Sequence, residues 1–336
     1  MMRVLVFALA CALPAAAAYA GPPDRPYAKR ENVQRFIQEM AAHDGFVPGE
    51  LEYLFARARR VPAILAAIVP HKDPRARSWH DYRARFVTSR RISEGLEFWR
   101  RNAAALERAA AEQGVPADII VAIVGIETHY GRQMGRYRVI DALATLAFDY
   151  PPRADFFRGE LEQFLLFARD TDLDVFSVYG SYAGAIGMPQ FMPGSYRRFA
   201  VDYDGDGRID LRGSAADAIG SVANFLAKHG WQPGARIQLP ARVSGEAHRA
   251  LVDAGIEPSV PLGELKRYGV EARTGLPLDT PVALVELESV DAPTEYRLGL
   301  RNFYVLTRYN RSALYAAAVC DLAQALREKR QEGGGR

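Results

Sequence analysis

The sequence predicts an α+β fold that is predominantly helical, with a small β subdomain late in the chain. Three observations carry this prediction. Apolar positions recur at helical spacing through residues 31–229, the pattern changes to alternating β-branched segments after Gly234, and a last helical run spans Leu314 to Arg330. The 336 residues suffice for roughly two average domains and a core that needs no covalent staples. With 49% hydrophobic and 25% charged residues, collagen-like, coiled-coil and disordered chains are excluded. Two cysteines cannot make a disulfide scaffold, and no CxxC or Cys/His cluster points to zinc. The 43 basic residues against 40 acidic give a net charge of +3 without a polybasic block, so no nucleic-acid partner is expected.

Residues 1–20 stand apart from the rest. Arg3 supplies a positive start, Val4 to Leu13 an apolar run, and Ala18-Tyr19-Ala20 a small-x-small cleavage pattern that would release Gly21. The run is about half of the roughly 20 residues that span a bilayer, so it reads as a cleaved export signal. The competing reading is a lipoprotein anchored through Cys11, preceded by Ala8-Leu9-Ala10. No later segment is apolar enough to span a membrane. After cleavage at Gly21, Cys320 is the remaining cysteine, and its apolar helical setting predicts a buried small hydrophobe.

Along the mature chain, VQRFIQEM and LEYLFARAR predict helices broken by His43-Asp44-Gly45 and Pro62. Ser93 to Gln113 reads as one long amphipathic helix stopped by Gly114. Pro116 opens PADIIVAIVGIE, which has no polar face and must therefore be buried. Arg153–Asp170 and Ala215–His229 read as further helices, and the Gly/Pro/aromatic stretch 180–196 between them does not. Arg236–Arg242, Pro281–Leu287 and Glu295–Leu306 are expected as strands.

Glu127 is the chemically interesting residue, because Ile119 to Ile126 before it carry no polar side chain. Desolvation and the negative end of the helix dipole both favour its protonated form. A carboxyl group that keeps its proton near neutral pH suits protonation of a glycosidic oxygen. The bland alternative is an exposed last-turn glutamate, or one paired with Arg132 or Arg136. Thr128-His129-Tyr130-Gly131 and then SYAGAIGMPQFMPGSY supply aromatic faces, amides and glycines of the kind that suit sugar rings. His129 without a nearby Ser or Cys pattern reads as structural or groove-lining. Neither GxxxxGK[ST] nor HExxH occurs.

Asp202, Asp204, Asp206, Arg208 and Asp210 occupy positions 1, 3, 5, 7 and 9 of an EF-hand-like calcium loop, with Gly207 at the sharp turn. Position 12 is Gly213 in place of the bidentate Glu, and Asp217 is the candidate closing ligand. A solvated acidic turn is the alternative. The expected role of the calcium is structural, and no organic cofactor is expected.

GIETHYGRQMGRYRVIDALATLAFDYP, SYAGAIGMPQFMPGSYRRFAVDYDGDG, DAIGSVANFLAKHGW and LRNFYVLTRYNRSALYAAAV together resemble the lytic murein transglycosylase B family, in order from about residue 30 to about residue 328. The resemblance implies a lysozyme-like catalytic core over 81–234, including the loop 202–217. A helical region over 21–80, completed by the C-terminal helix 311–330, and a small β subdomain over 235–310 would surround it. It implies cleavage of the β-1,4 bond between N-acetylmuramic acid and N-acetylglucosamine in peptidoglycan, with a 1,6-anhydro ring formed because the sugar's own C6 hydroxyl attacks. Glu127 would be the catalytic acid/base, and Tyr82, Ser181, Gln190, Phe191, Phe225, Tyr309, Asn310 and Tyr315 would line the groove. Phe225 stands where a tyrosine is expected, and Pro152 where an arginine often follows a Tyr-Pro pair. The family pattern also points to Asp217 as a calcium ligand. The protein is then expected to be periplasmic, monomeric and dedicated to glycan strands. Two rival readings are a muramidase that uses water and a calcium-dependent peptidoglycan-binding scaffold without catalysis.

Overall fold

The structure, a computed structural model, describes residues 25–69, 75 and 78–334. The export signal expected over residues 1–20, Cys11 included, lies outside the described residues. Helices α1 (Glu31–Asp44), α2 (Pro48–Arg57) and α3 (Pro62–Ala67) come first, and two of them start at a proline whose missing N–H costs nothing at a helix N-terminus. The next helices are α4 (Trp79–Phe86), α5 (Ser89–Arg101), α6 (Ala103–Gln113) and α7 (Ala117–Thr128). The single long helix expected over 93–113 is therefore two. Asn102 leaves helical geometry at the break, and its amide donates to the Phe98 carbonyl at 2.8 Å, competing with the continuing backbone ladder. Gly114 ends α6 in the left-handed region, as expected.

From Ile119 to Ile126 every residue of α7 is buried. The helix packs against α5, α6, α11 (Ala215–Lys228) and the C-terminal helix α14 (Ala313–Gly334), which explains why it needs no polar face. A two-stranded ribbon of β1 (Tyr137–Arg138) and β2 (Tyr179–Gly180) brackets α8 (Val139–Asp149) and α9 (Ala154–Asp170). The stretch 180–196 is a loop except for its end. There Pro193 starts α10 (Pro193–Phe199), a helix that the Gly/Pro/aromatic composition of the stretch does not predict.

The later β subdomain is one antiparallel sheet. In chain order it contains β3 (Gln238–Val243), α12 (Arg249–Asp253), β4 (Val260–Pro261), β5 (Val270–Glu271), β6 (Pro281–Leu287) and β7 (Glu295–Gly299), with strand order β4-β6-β7-β3-β5. Leu239, Leu298 and Leu284 lie opposite one another across β3, β7 and β6 and build a small separate core. On β6 the residues Val285 and Leu287 join the main helical core, so the strand is buried on both faces. Arg297, 7% exposed, fastens the sheet to the helical body by two contacts to Asp321 of α14, at 2.6 and 3.2 Å. Glu295 accepts from Arg297 at 2.6 Å and from the Trp79 indole at 2.8 Å. Removing one partner from such a buried network is costly.

The strand expected over 295–306 ends at Gly299, and Arg301–Tyr309 forms helix α13. β-branched and aromatic residues suggested a strand, but Arg301, Tyr304 and Arg308 face outward while Asn302, Phe303, Val305 and Leu306 are buried, a helical spacing. Asn302 accepts from the Gln232 amide at 2.7 Å and donates to its carbonyl at 2.8 Å, pinning the helix start. Cys320 is buried in α14, and burial pushes its thiol pKa up. Among the described residues no single helix is long and apolar enough to cross a membrane.

Candidate active site

Glu127 is the penultimate residue of α7, and the core wraps the apolar turns that lead to it. Burial pushes its carboxyl up to about 7, against a lowering hydrogen bond from the Tyr315 hydroxyl, which donates to Glu127 Oε1 at 2.7 Å. Arg132 pairs with Glu94 at 2.5 Å, and the Arg136 guanidinium lies over the Tyr137 ring. Among the described residues no lysine or arginine forms an ion pair with Glu127, so nothing cationic offsets the desolvation. The paired-glutamate alternative is not what the structure contains.

Tyrosines from three separate elements gather at this carboxyl. Tyr315 lies in the first turn of α14, Tyr309 closes α13, and Tyr82 comes from α4. The rings of Tyr309 and Tyr315 lie nearly parallel, 6.3 Å between centroids. The Tyr309 hydroxyl donates to the Pro189 carbonyl at 2.6 Å. Burial, followed by the charge of Glu127, pushes the Tyr82 phenol up to about 12 and the other two well above the usual tyrosine range. All three therefore stay protonated and can act as donors at any physiological pH.

Phe191 and Phe225 stand behind this layer. They are 2% and 6% exposed, with centroids 5.6 Å from each other and 5.9 and 4.9 Å from Tyr309. They support the tyrosine layer instead of presenting free faces. Ser181 Oγ accepts from the amides of Ala183 at 3.2 Å and Ala185 at 3.0 Å, shaping the glycine-rich loop. Gln190 takes a left-handed backbone and donates to the Gly187 carbonyl at 2.9 Å. Asn310 is exposed where α13 ends. Sequence reasoning missed Thr128. Its hydroxyl donates to the Met188 carbonyl at 2.8 Å and ties the end of α7 to the MPQF segment.

Other carboxylates near in sequence are occupied elsewhere. Asp141 accepts from Arg138 at 2.7 Å and from the Arg59 amide at 2.8 Å, Asp149 holds Arg30 at 2.9 Å and Tyr27 at 2.6 Å, and Glu160 accepts from the Gly194 amide at 2.8 Å. A cavity of about 700 Å³ near Phe46, Leu54 and Leu165 contains none of the residues around Glu127.

In the acidic loop, carboxylate oxygens of Asp202, Asp204 and Asp217 lie within 4.8 Å of one another. This all-oxygen set fits a hard divalent cation. Asp217, 1% exposed, accepts from the amides of Tyr203 and Asp210 at 2.7 Å each and of Asp204 at 3.3 Å. Asp206 and Asp210 lie outside that trio. Asp206 accepts from the Arg208 amide at 2.8 Å, and Asp210 from the amides of Arg212 and Gly213 at 2.9 and 2.8 Å. The loop touches the groove wall, because the Leu211 carbonyl accepts from the Met188 amide at 2.7 Å and the Ile209 carbonyl from Tyr196 at 2.6 Å.

A carboxyl group whose proton burial retains toward neutral pH, met by a layer of tyrosines, belongs to glycan-cleaving chemistry of the lysozyme kind. Comparison with known proteins narrows this class. The family described as Transglycosylase SLT domain matches residues 28–324, and the chain belongs to that family of lytic murein transglycosylases, enzymes that cleave peptidoglycan with formation of anhydromuramate. It is 40% identical over 317 residues to membrane-bound lytic murein transglycosylase B of Escherichia coli K12, covering 89% of this chain and 84% of that one. The structure of soluble lytic transglycosylase SltB1 from Pseudomonas aeruginosa is similar at 46% identity and a TM-score of 0.83, covering 89% of this chain and 99% of that one. Lytic transglycosylase Slt35 of Escherichia coli, in complex with calcium, is similar at 39% identity and a TM-score of 0.79, covering 90% and 95%. These matches agree with the helical, lysozyme-like α+β fold expected from the sequence.

Proposed function

We propose that Glu127 performs both proton transfers of the reaction on this chain. Its proton passes to the glycosidic oxygen as the bond from C1 of the muramic acid breaks. The resulting carboxylate then takes the proton of the same sugar's C6 hydroxyl as that oxygen bonds to C1. Glu127 is reprotonated, the 1,6-anhydro ring closes, and no water is consumed. The observation that carries this reading is the raised carboxyl with Tyr315 as its hydrogen-bond donor and, among the described residues, no cationic partner. Tyr315 steadies the ionised form between the two transfers. A two-carboxylate glycosidase needs its second group about 5 to 9.5 Å away. Asp141, Asp149 and Glu160, three carboxylates that follow Glu127 in the chain, are held by other partners. The nucleophile belongs to the substrate itself, which lowers the entropic cost of attack.

The tyrosine layer and the Ser181–Gln190 loop are assigned to binding the glycan strand, with Asn310 at its margin. The acidic loop is assigned to a structural calcium ion, held through Asp202, Asp204 and Asp217. Its support is the donor trio and the calcium complex of Slt35. The protein is placed in the periplasm as an exported monomer. Anchoring through Cys11 is the alternative form.

Mass spectrometry of purified sacculi digested by wild type and by Glu127→Gln tests the mechanism. Anhydromuramic ends from wild type and none from the variant are expected. Reducing ends, heavier by one water, would mean a muramidase. Wild-type product from Glu127→Gln would remove this residue from the chemistry.

A further inference from the structure

The turn that follows Glu127 contains a device that the proton transfers themselves do not use. His129 and Tyr130 both have left-handed backbone, with φ of 52° and 59°. Two non-glycine residues in succession there are strained, and such conformations persist only when the surroundings over-determine them. The surroundings do so here. The His129 ring meets the Glu94 carboxylate of α5, which also holds Arg132 at 2.5 Å and Arg90 at 3.1 Å. The Tyr130 ring fills the space beside Gly95 of α5 and Gly125 of α7, where any Cβ would collide with it. Its hydroxyl donates to the Arg91 carbonyl at 2.8 Å. Thr128, between Glu127 and His129 in the chain, is bound to Met188 of the glycine-rich loop. The end of α7 is thus fastened to α5 by the strained turn and to the groove by its neighbour.

We propose that Glu94 and His129 are positioning residues for Glu127: their contact holds the left-handed turn so that the carboxyl stays against Tyr315 and in register with the groove loop. Neither touches the reacting atoms, and the inference rests on Glu127 being the acid. A merely structural role makes the opposite forecast at position 129. Glycine adopts a φ of 52° without strain, so a turn that serves only the fold gains from it. A turn that works through Glu94 loses its fastener.

The test compares His129→Gly, His129→Asn and Glu127→Gln in the full chain, measuring kcat and KM on soluble glycan strands together with the melting temperature. For His129→Gly we expect a melting temperature at or above wild type, KM within about twofold, and kcat lowered at least about fivefold, since small misplacements of a catalytic group are costly. Asparagine tolerates the left-handed region and can donate to Glu94, so His129→Asn should recover most of kcat. A smaller fall in kcat for His129→Gly, a fall accompanied by a lower melting temperature, a loss confined to KM, or an asparagine variant as impaired as the glycine one would each overturn the proposal. The control separates the two levels. Inactive Glu127→Gln beside unimpaired His129→Gly removes only the positioning role, whereas active Glu127→Gln removes the acid assignment beneath it.

Discussion

Glu127 and the aspartates of the 202–217 loop carry the same functional group and are put to opposite use by their surroundings. Glu127 meets apolar side chains and one tyrosine hydroxyl, so its proton is hard to remove. Asp204 meets a Ser214 hydroxyl at 2.6 Å, and that hydrogen bond holds it below the usual carboxylate range. Asp217 is also buried, yet backbone amides surround it. The apolar wall around Glu127 favours its neutral form, and the hydroxyl donor on Asp204 favours the charged one.

The largest effect that would break this contrast is on turnover. Glu127→Gln keeps the shape and the Tyr315 contact but has no proton to give, and cleavage of sacculi should fall about 10³-fold or more. The next is on stability. Asp217→Ala leaves three loop amides without their acceptor and should destabilise the protein by roughly 3 kcal/mol or more. Chelation of protein first shown to hold calcium should lower the melting temperature in the same direction. A melting curve unmoved by both would dissolve the loop's assignment. A third effect has a sign fixed by linkage. The folded value of Glu127 near 7 lies above the ordinary 4.5, so the protonated carboxyl's contribution is complete below pH 4.5 and is lost as pH rises through 7. Glu127→Gln never ionises. It should match wild type in stability at pH 4 and exceed it at pH 8 by up to about 3 kcal/mol, as denaturant unfolding at both pH values would show.

Half of this contrast could be read from the chain alone. Ile119 to Ile126 announce a buried helix by composition, and the spacing of Asp202, Asp204 and Asp206 announces a loop with clustered oxygens. Long-range partners had no local signal. Tyr315 lies 188 residues from Glu127, and no periodicity relates the two. Asp217 was expected as a ligand, but its service to three backbone amides depends on how the loop curls around it. The break at Asn102 and the helix at Arg301–Tyr309 were misread for a related reason. In the first, a side-chain hydrogen bond overrides a continuous amphipathic pattern. In the second, burial of Phe303, Val305 and Leu306 on one helical face overrides their preference for strands. The Glu94–His129 contact joins two helices and was likewise beyond local reading.

Following the ¹³C resonance of the Glu127 side-chain carboxyl with pH, with Glu127→Gln to identify it, addresses the account at its root. A midpoint near 7 is the predicted result, with glycan cleavage declining as the pH rises past it. A midpoint at or below the ordinary glutamate value of 4.5 would mean that the group is already ionised where the enzyme works, and the proton-transfer account would be contradicted.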